Sequence, residues 1–379
     1  MNKPAIFILR ITTLTLLLGV SGGHADDFKW HGFASQAYLY STGGNNVYGE
    51  STDGSTEFFE VGLGGQYQLN NSLHLAGQIL SRDAGATDNG SIRADYLYAD
   101  LRIAQLDESA LGLRVGRVRN PFGFYNATRD VLFTRPSILL PQMYYDATGV
   151  RELFFSADGV QLYGYWDHSG GTTSFTSTFG RNDTLSSKTF DNIVGGNGAA
   201  VGKAALKNPI FAQLMHSSLG EQWKAGVSIL NTTLDFRAGG GVLPSGSLEA
   251  NVVAVSAQRN FAKLSVTAEY ALLTSSANFG PFSGSMKSES LYLQGEFRAT
   301  PRWTALVRLD NQLGDRERPN ETDTLILTLG ARWAPARNWQ IAAELHGMRG
   351  TAGIPRSDNP VNPLYARTEL FVIMGGFRF

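Results

Sequence analysis

Short stretches in which apolar and polar residues alternate recur along most of this 379-residue chain. Side chains of a β-strand point to opposite faces at every second residue, so each stretch predicts a strand with one apolar and one polar face. Between two such stretches lie Asn70 and Asn71, a tight turn of residues that tolerate positive φ. Clear runs of apolar positions are Val61, Leu63, Tyr67 and Leu69; Leu97, Ala99, Leu101 and Ile103; Trp223, Ala225, Val227 and Ile229; and Leu291, Leu293 and Phe297.

The last thirteen residues, 367–379, alternate most sharply and end on an aromatic residue. Phe371, Ile373, Phe377 and Phe379 share one predicted face of this strand. Two interpretations fit the segment taken alone. It is typical of the C-terminal strand of a soluble β-sandwich, and equally of the closing strand of an outer-membrane barrel with its terminal aromatic residue in the interfacial girdle. The segment also resembles the C-terminal signature of outer-membrane proteins.

The connections between the predicted strands alternate between short turns and long polar loops, the latter at 237–248, 276–286, 314–321 and 350–366. Trp303, Trp333 and Trp339 lie beside short turns, where one aromatic girdle of a membrane barrel is expected. We therefore predict an all-β protein, a transmembrane antiparallel up-and-down β-barrel of about 16 strands with both termini periplasmic. Such a barrel is too wide for side chains to fill, so it encloses an aqueous lumen.

The first 25 residues have the pattern of a secretory signal peptide. Lys3 and Arg10 precede or flank a short apolar run at 11–20, and small residues lead to a cleavage site after Ala25. The run is shorter than the ~20 residues that a membrane helix needs. We predict a signal peptide at 1–25, a barrel domain at 26–379 and localisation in the cell outer membrane. The chain has no cysteine, which excludes disulfides and thiol chemistry.

Residues 120–149 interrupt the strand pattern after the fifth predicted strand. Pro121, Pro136 and Pro141 make the segment a poor strand, yet it is too aromatic and aliphatic to extend freely into water. A long, partly apolar loop on a barrel packs somewhere, and the lumen is the available place. We predict a third extracellular loop that folds inward.

Residues 116–123, Gly-Arg-Val-Arg-Asn-Pro-Phe-Gly, resemble the strand-to-loop transition of the phosphate-selective porin O and P family and of related trimeric anion porins. The resemblance implies a homotrimeric diffusion channel whose third loop narrows each pore. It does not extend to a phosphate site, because 120–149 contains no lysine. Small residues at predicted outward positions allow walls to approach closely in lipid, which agrees with a homotrimer. These residues are Gly65, Gly77, Ala99 and Gly375.

Arginines crowd the interruption and its flanks. One interpretation is that they line the constriction and raise the local concentration of anions. The other is that they pair with carboxylates or anchor the loop to the wall. We expect Arg129 and Arg135 to face the strand wall and Asp130 to approach a wall arginine such as Arg114. Arg117 points outward under strict alternation unless Gly116 forms a bulge. The candidate constriction and solute-binding residues are Arg114, Arg119, Arg129, Asp130, Arg135 and Arg151.

No enzyme motif is present: the chain has no G-x-S-x-G, H-E-x-x-H or Walker sequence. Isolated histidines such as His74 fit a solvated wall better than a catalytic site. We predict a passive porin for small hydrophilic, anionic solutes, without cofactor, metal or nucleic-acid partner, in contact with outer-membrane lipid. The alternatives are a barrel enzyme such as a lipid hydrolase, or a surface receptor without an open pore.

Overall fold

The computed structural model describes residues 28–141, 145, 151, 155–185, 190–191, 200–316, 323–360 and 363–379. Within them lie sixteen antiparallel strands, each paired with its neighbours in sequence. The predicted signal peptide lies outside the described residues, and none of the described helices is long and apolar enough to cross a membrane. The strands are β1 Phe28–Thr42, β2 Phe58–Gln68, β3 Leu73–Ala84, β4 Asn89–Leu106, β5 Ser109–Arg119, β6 Ser156–His168, β7 Gly171–Leu185, β8 Gly202–Ser218, β9 Trp223–Ala238, β10 Gly246–Asn260, β11 Leu264–Phe279, β12 Phe282–Arg298, β13 Trp303–Leu313, β14 Asp323–Ala336, β15 Trp339–Arg349 and β16 Arg367–Arg378.

Strand β16 closes the barrel on β1, with a register from Phe33 opposite Arg378 to Thr42 opposite Glu369. The terminal residue takes part, because the Phe379 amide donates to the Gly32 carbonyl at 3.0 Å. A Cβ on Gly32 would lie 2.5 Å from the Phe379 ring, so any other residue there would displace the terminal aromatic side chain. Closure leaves no free sheet edge, which is the condition for strands in hydrocarbon. The barrel prediction is confirmed, and the sandwich interpretation of the last strand is wrong.

The aromatic residues beside the short turns stand on the outer face, as predicted. Trp303 stacks on Trp333 with ring centroids 5.7 Å apart, and Trp339 packs on Phe377 at 5.0 Å. All four lie at the short-turn end of the barrel, which is the periplasmic end in this fold.

Several strands are longer than predicted. The expected long loop at 276–286 is wrong, because β11 and β12 continue through most of it and meet in a turn at Gly280 and Pro281. Gly280 has φ of +65°, which glycine adopts without strain. Serine and glycine weaken the apolar alternation in these strand ends. The hydrogen-bonded ladder therefore extends beyond the residues that the sequence pattern marks as strand.

The loops at the long-loop end of β1 and β16 pack on each other through Asp358. Its carboxylate accepts hydrogen bonds from the backbone amides of Tyr48 (3.1 Å) and Ala86 (2.8 Å). Asn45 extends the contact by donating to the Tyr365 carbonyl at 2.7 Å. Burial raises the pKa of Asp358 to about 6, against the lowering effect of these amides.

This raised pKa predicts a pH-dependent loop contact. Because the packed Asp358 binds its proton more tightly than the free side chain (pKa ~3.9), the stabilisation is complete below about pH 4 and declines as the pH rises through about 6. A spin label at exposed Thr351 should become more mobile over this range in the wild-type protein and much less so in Asp358→Asn. Identical pH profiles in both proteins would contradict the assignment.

Candidate functional site

The loop between β5 and β6, residues 120–155, is called L3 here, and its described part lies inside the barrel. At its base the Asn120 amide donates to the Phe155 carbonyl at 2.9 Å, so both ends of the loop are held together. Two short 3-10 helices, Asn126–Thr128 and Leu132–Thr134, form part of its course. The inward-folded third loop predicted from the sequence is therefore present.

Apolar residues of L3 pack against two sides of the lumen wall. On one side Leu132, Ile138 and Leu139 of the loop belong to a buried group with Leu370 and Val372 of β16. On the other side the loop contributes Phe122, Tyr125 and Leu140 to a buried group that includes Phe211, Leu230 and Tyr292 of the wall. This burial accounts for the apolar composition of the interruption.

Glu269 of β11 is the loop's anchor on the far wall. This buried carboxylate accepts hydrogen bonds from the Phe124 amide (2.9 Å) and from the hydroxyls of Tyr145 (2.5 Å), Tyr292 (2.6 Å) and Ser256 (2.5 Å). Two of these donors belong to L3 and two to the wall. Each oxygen of the Glu269 carboxyl group thus has two hydrogen-bond partners, which offset part of the cost of burying it.

A second anchor joins L3 to β13 and β15. Arg308, 1% exposed, donates to the Ser137 hydroxyl at 2.7 Å and to the Leu139 carbonyl at 3.0 Å. Glu344 accepts from the backbone amides of Ile138 and Leu139, the latter at 3.2 Å. Arg308 thus binds oxygen atoms of Ser137 and Leu139, and Glu344 binds the backbone amides of Ile138 and Leu139, so both kinds of polar group in this segment are paired with the wall.

Arg135 provides the third anchor and faces the strand wall, as expected. Its guanidinium pairs with Glu60 of β2 at 2.8 Å, and its backbone carbonyl accepts from Arg332 of β14 at 2.9 Å. The Arg135 side chain is 3% exposed. Arg135 therefore anchors L3 to the wall by pairing with a carboxylate, which is the second of the two roles considered for the arginines.

Asp130 pairs with Arg151 of the loop at 2.5 Å. The wall arginine whose charge acts on it is Arg82 of β3 rather than the expected Arg114. Arg129 donates to the Asn126 side chain at 3.2 Å and to the Tyr145 carbonyl, both within the loop. The Asp130 carboxylate is buried, which alone would raise its pKa, but Arg151 and Arg129 lower the pKa below its ordinary range. Asp130, Arg151 and Arg129 thus form a buried ionic cluster within L3.

Arg114 and Arg119 are the candidate residues that stay partly exposed, at 30% and 19% of their side chains. Arg114 bonds Asp100 at 2.9 Å and lies over the Tyr163 ring at 4.2 Å. Arg119 pairs with Asp95 and lies over the Tyr96 ring at 4.6 Å. The Tyr98 ring centroid lies 5.3 Å from the Arg114 guanidinium carbon. We call this group of side chains on β4–β6 the Tyr–Arg wall; its members are Tyr96, Tyr98, Arg114, Arg119 and Tyr163.

Arg117 stands on the outer face, because its register partner Leu97 is 64% exposed on that face. It pairs with Asp158 of β6 at 3.2 Å. Strict alternation therefore holds through Gly116. That residue has φ of +133°, and a Cβ there would lie 2.3 Å from the Leu97 carbonyl oxygen, so the strand accepts only glycine at this point.

No family model and no curated protein sequence matches the chain. Solved structures do match it over most of its length. The anion-selective porin from Comamonas acidovorans aligns with a TM-score of 0.62 at 13% identity, covering 93% of this chain and 99% of that one. The outer membrane channel DcaP of Acinetobacter baumannii gives 0.61 at 12%, covering 95% and 100%. Salmonella typhi OmpF, in complex with daunomycin, gives 0.59 at 13%, covering 93% and 97%.

These neighbours are outer-membrane porins and channels, and at such low identity they show the fold alone. The chain is a closed, antiparallel, sixteen-stranded barrel of the outer-membrane porin fold.

Proposed function

We propose that the protein is a passive diffusion channel of the outer membrane for small hydrophilic solutes, that it prefers anions, and that it is not an enzyme. The observation that carries the proposal is the exposure that the Tyr–Arg wall keeps beside L3. L3 is anchored to β11, β13, β15 and β2, and Arg119 of β5 donates to its Ala127 carbonyl at 2.6 Å. Arg114 and Arg119 nevertheless remain 30% and 19% exposed. Solutes are then confined to a narrowed passage along that wall.

The charge balance beside the passage supports the anion preference. The described lumen-side residues of β2–β5, of the turn between β3 and β4 and of L3 include eight arginines and five carboxylates. The excess of arginines creates a positive electrostatic field, which a low-dielectric constriction strengthens. In the proposal Arg114 and Arg119 meet the solute, whereas Arg129, Asp130, Arg135 and Arg151 hold the constriction in place. The arginines are Arg82, Arg93, Arg102, Arg114, Arg119, Arg129, Arg135 and Arg151, and the carboxylates are Glu60, Asp88, Asp95, Asp100 and Asp130.

Reversal potentials in a KCl gradient test this proposal. The wild-type channel should prefer chloride at 0.1 M salt, and Arg114→Gln with Arg119→Gln should shift the preference toward potassium, because Asp100 and Asp95 then lose their partners. The shift should shrink as the Debye length falls from ~10 Å at 0.1 M to ~3 Å at 1 M. Arg237→Gln, an exposed arginine at the far end of β9, is the matched control. Equal potentials in wild type and double variant would overturn the anion assignment.

The proposal includes export by a signal peptide cleaved after Ala25 and assembly as a homotrimer. Support for the trimer comes from small outward residues on the first strands and the last. Gly375, for example, has no atom within 4 Å of an added Cβ, which leaves room for a neighbouring wall. Gly375→Trp should therefore dissociate an oligomer that is visible as a slow band on unheated gels, while the heat-dependent shift of the folded monomer remains. A wild-type protein that is monomeric by light scattering would contradict the trimer.

A further inference from the structure

The outer face of β14, β15, β16 and β1 carries two arginines directly opposite each other near the long-loop end. Arg349 and Arg367 are register partners on β15 and β16, and both are exposed. Within the described part of the chain neither guanidinium has an ion pair or a hydrogen bond. Like charges directly across a strand pair are unfavourable. Within the described residues, neither arginine of this pair is therefore neutralised by a direct ion pair.

Directly below the arginines the surface is hollow. Gly347 occupies the next outward position on β15, and a Cβ there would have no atom within 4 Å. The hollow has a volume of about 410 Å³ and is bordered by apolar side chains of the row beneath, including Leu329, Leu345 and Phe371. Its dimensions and lining suit a hydrocarbon chain.

One carboxylate faces the same hollow. Glu369 lies beside Gly347 in the register and accepts a hydrogen bond from the Thr42 hydroxyl at 3.4 Å. It makes no direct ion pair with Arg349 or Arg367 in the described part of the chain, so both guanidiniums keep their hydrogen-bond donors available.

The depth of the arginines matches the headgroup region of a membrane. Trp339, in the girdle at the opposite end, and Arg349 are the first and last residues of β15. The ten steps between them span ~34 Å along the strand, or ~26 Å along the barrel axis at a tilt of ~40°. The apolar band of such barrels is ~25 Å tall. Tyr365, 53% exposed, stands beside Arg367 as an interfacial aromatic residue.

We propose that this face, the Arg349–Arg367 groove, binds a phosphorylated lipid of the outer leaflet. The lipid phosphate accepts charge-assisted hydrogen bonds from both guanidiniums, and one acyl chain occupies the hollow over Gly347. Phosphate supplies a negative charge, and its several oxygens match the planar fork of arginine. The occupant is a lipid because the arginine pair lies at the depth of the lipid phosphates and the apolar hollow lies directly below it, at the depth where the acyl chains begin.

Native mass spectrometry of the refolded full chain in zwitterionic detergent tests the groove, with dipalmitoyl phosphatidic acid as probe and dipalmitoylglycerol as its phosphate-free counterpart. Wild-type protein should retain phosphatidic acid at least tenfold better than diacylglycerol. Arg349→Gln with Arg367→Gln should remove that preference. Gly347→Leu, which fills the hollow and keeps both charges, should weaken retention of phosphatidic acid. Arg237→Gln should leave retention unchanged.

Three outcomes would overturn the proposal. Equal retention of the two lipids would show that phosphate is not recognised. Displacement of phosphatidic acid by inorganic phosphate at equal concentration would assign the arginines to a free anion. An oligomer that dissociates in the double arginine variant, with lipid retention unchanged, would make the face an interface between copies. The heat-dependent gel shift verifies in each variant that the barrel has folded.

Discussion

Replacing residues 122–153 with a short Gly–Ser linker is expected to raise the single-channel conductance several-fold. The two ends of L3 are already joined by the hydrogen bond from Asn120 to Phe155, so a short linker can close the gap without pulling β5 and β6 apart. The barrel is wide enough to leave an aqueous lumen once the loop is gone. The sixteen-stranded ladder does not depend on L3, and the freed anchors Glu269, Arg308 and Glu344 become hydrated.

Single-channel recording in planar bilayers gives the measurement. The matched control deletes 240–242, an exposed loop segment between β9 and β10, and should leave conductance unchanged. If the linker variant folds and conducts like wild type, L3 lies outside the conducting path and the constriction assignment fails.

Glu269→Ala is expected to detach the middle of L3 from the far wall while the barrel stays folded. The substitution removes the acceptor that four donors share, namely the Phe124 amide and the hydroxyls of Tyr145, Tyr292 and Ser256. The Phe124 amide keeps its second hydrogen bond, to the Tyr145 hydroxyl at 2.9 Å. Each unsatisfied buried donor costs ~1–3 kcal/mol, so the docking of L3 should weaken by about 3 kcal/mol or more even when water satisfies some of them. Open-channel noise should rise as the loop moves.

Hydrogen exchange of the backbone amides at 123–141 measures the docking directly. Protection there should fall at least a hundredfold in Glu269→Ala, since 1.4 kcal/mol corresponds to a factor of ten. Glu289→Ala is the control, because Glu289 lies on the adjacent strand β12 and pairs with Arg316, 55% exposed, instead of with L3. Unchanged protection in Glu269→Ala would show that other contacts hold the loop.

The period-two pattern was sufficient for the barrel, because each strand faces lipid on one side and the lumen on the other. The alternation in 367–379 therefore assigned Phe371 and Ile373 to the outside correctly. The proline-bounded segment after β5 likewise indicated L3, since its apolar side chains needed a buried place. Where alternation weakened into serine and glycine, as in 276–286, the strand ends were missed.

The partners of individual arginines could not be read from the sequence. Arg135 pairs with Glu60, which lies 75 residues earlier in the chain, and Phe124 bonds Glu269, 145 residues later. Such pairs depend on the path of L3 through the lumen, which local patterns do not encode. In the sequence, the carboxylates of the wall cannot be distinguished from other polar residues on the lumen-facing side of a strand. The tyrosines of the Tyr–Arg wall did carry a signal, since Tyr96 and Tyr98 alternate with outward Leu97.

Current recorded across a planar bilayer after insertion of the purified wild-type protein tests the central claim, that this barrel is an open passive channel. With folding verified by the heat-dependent gel shift, an open passive channel should produce stepwise, ohmic current increases in KCl without ligand or energy source. Folded protein that inserts into the bilayer and produces no current steps would contradict it.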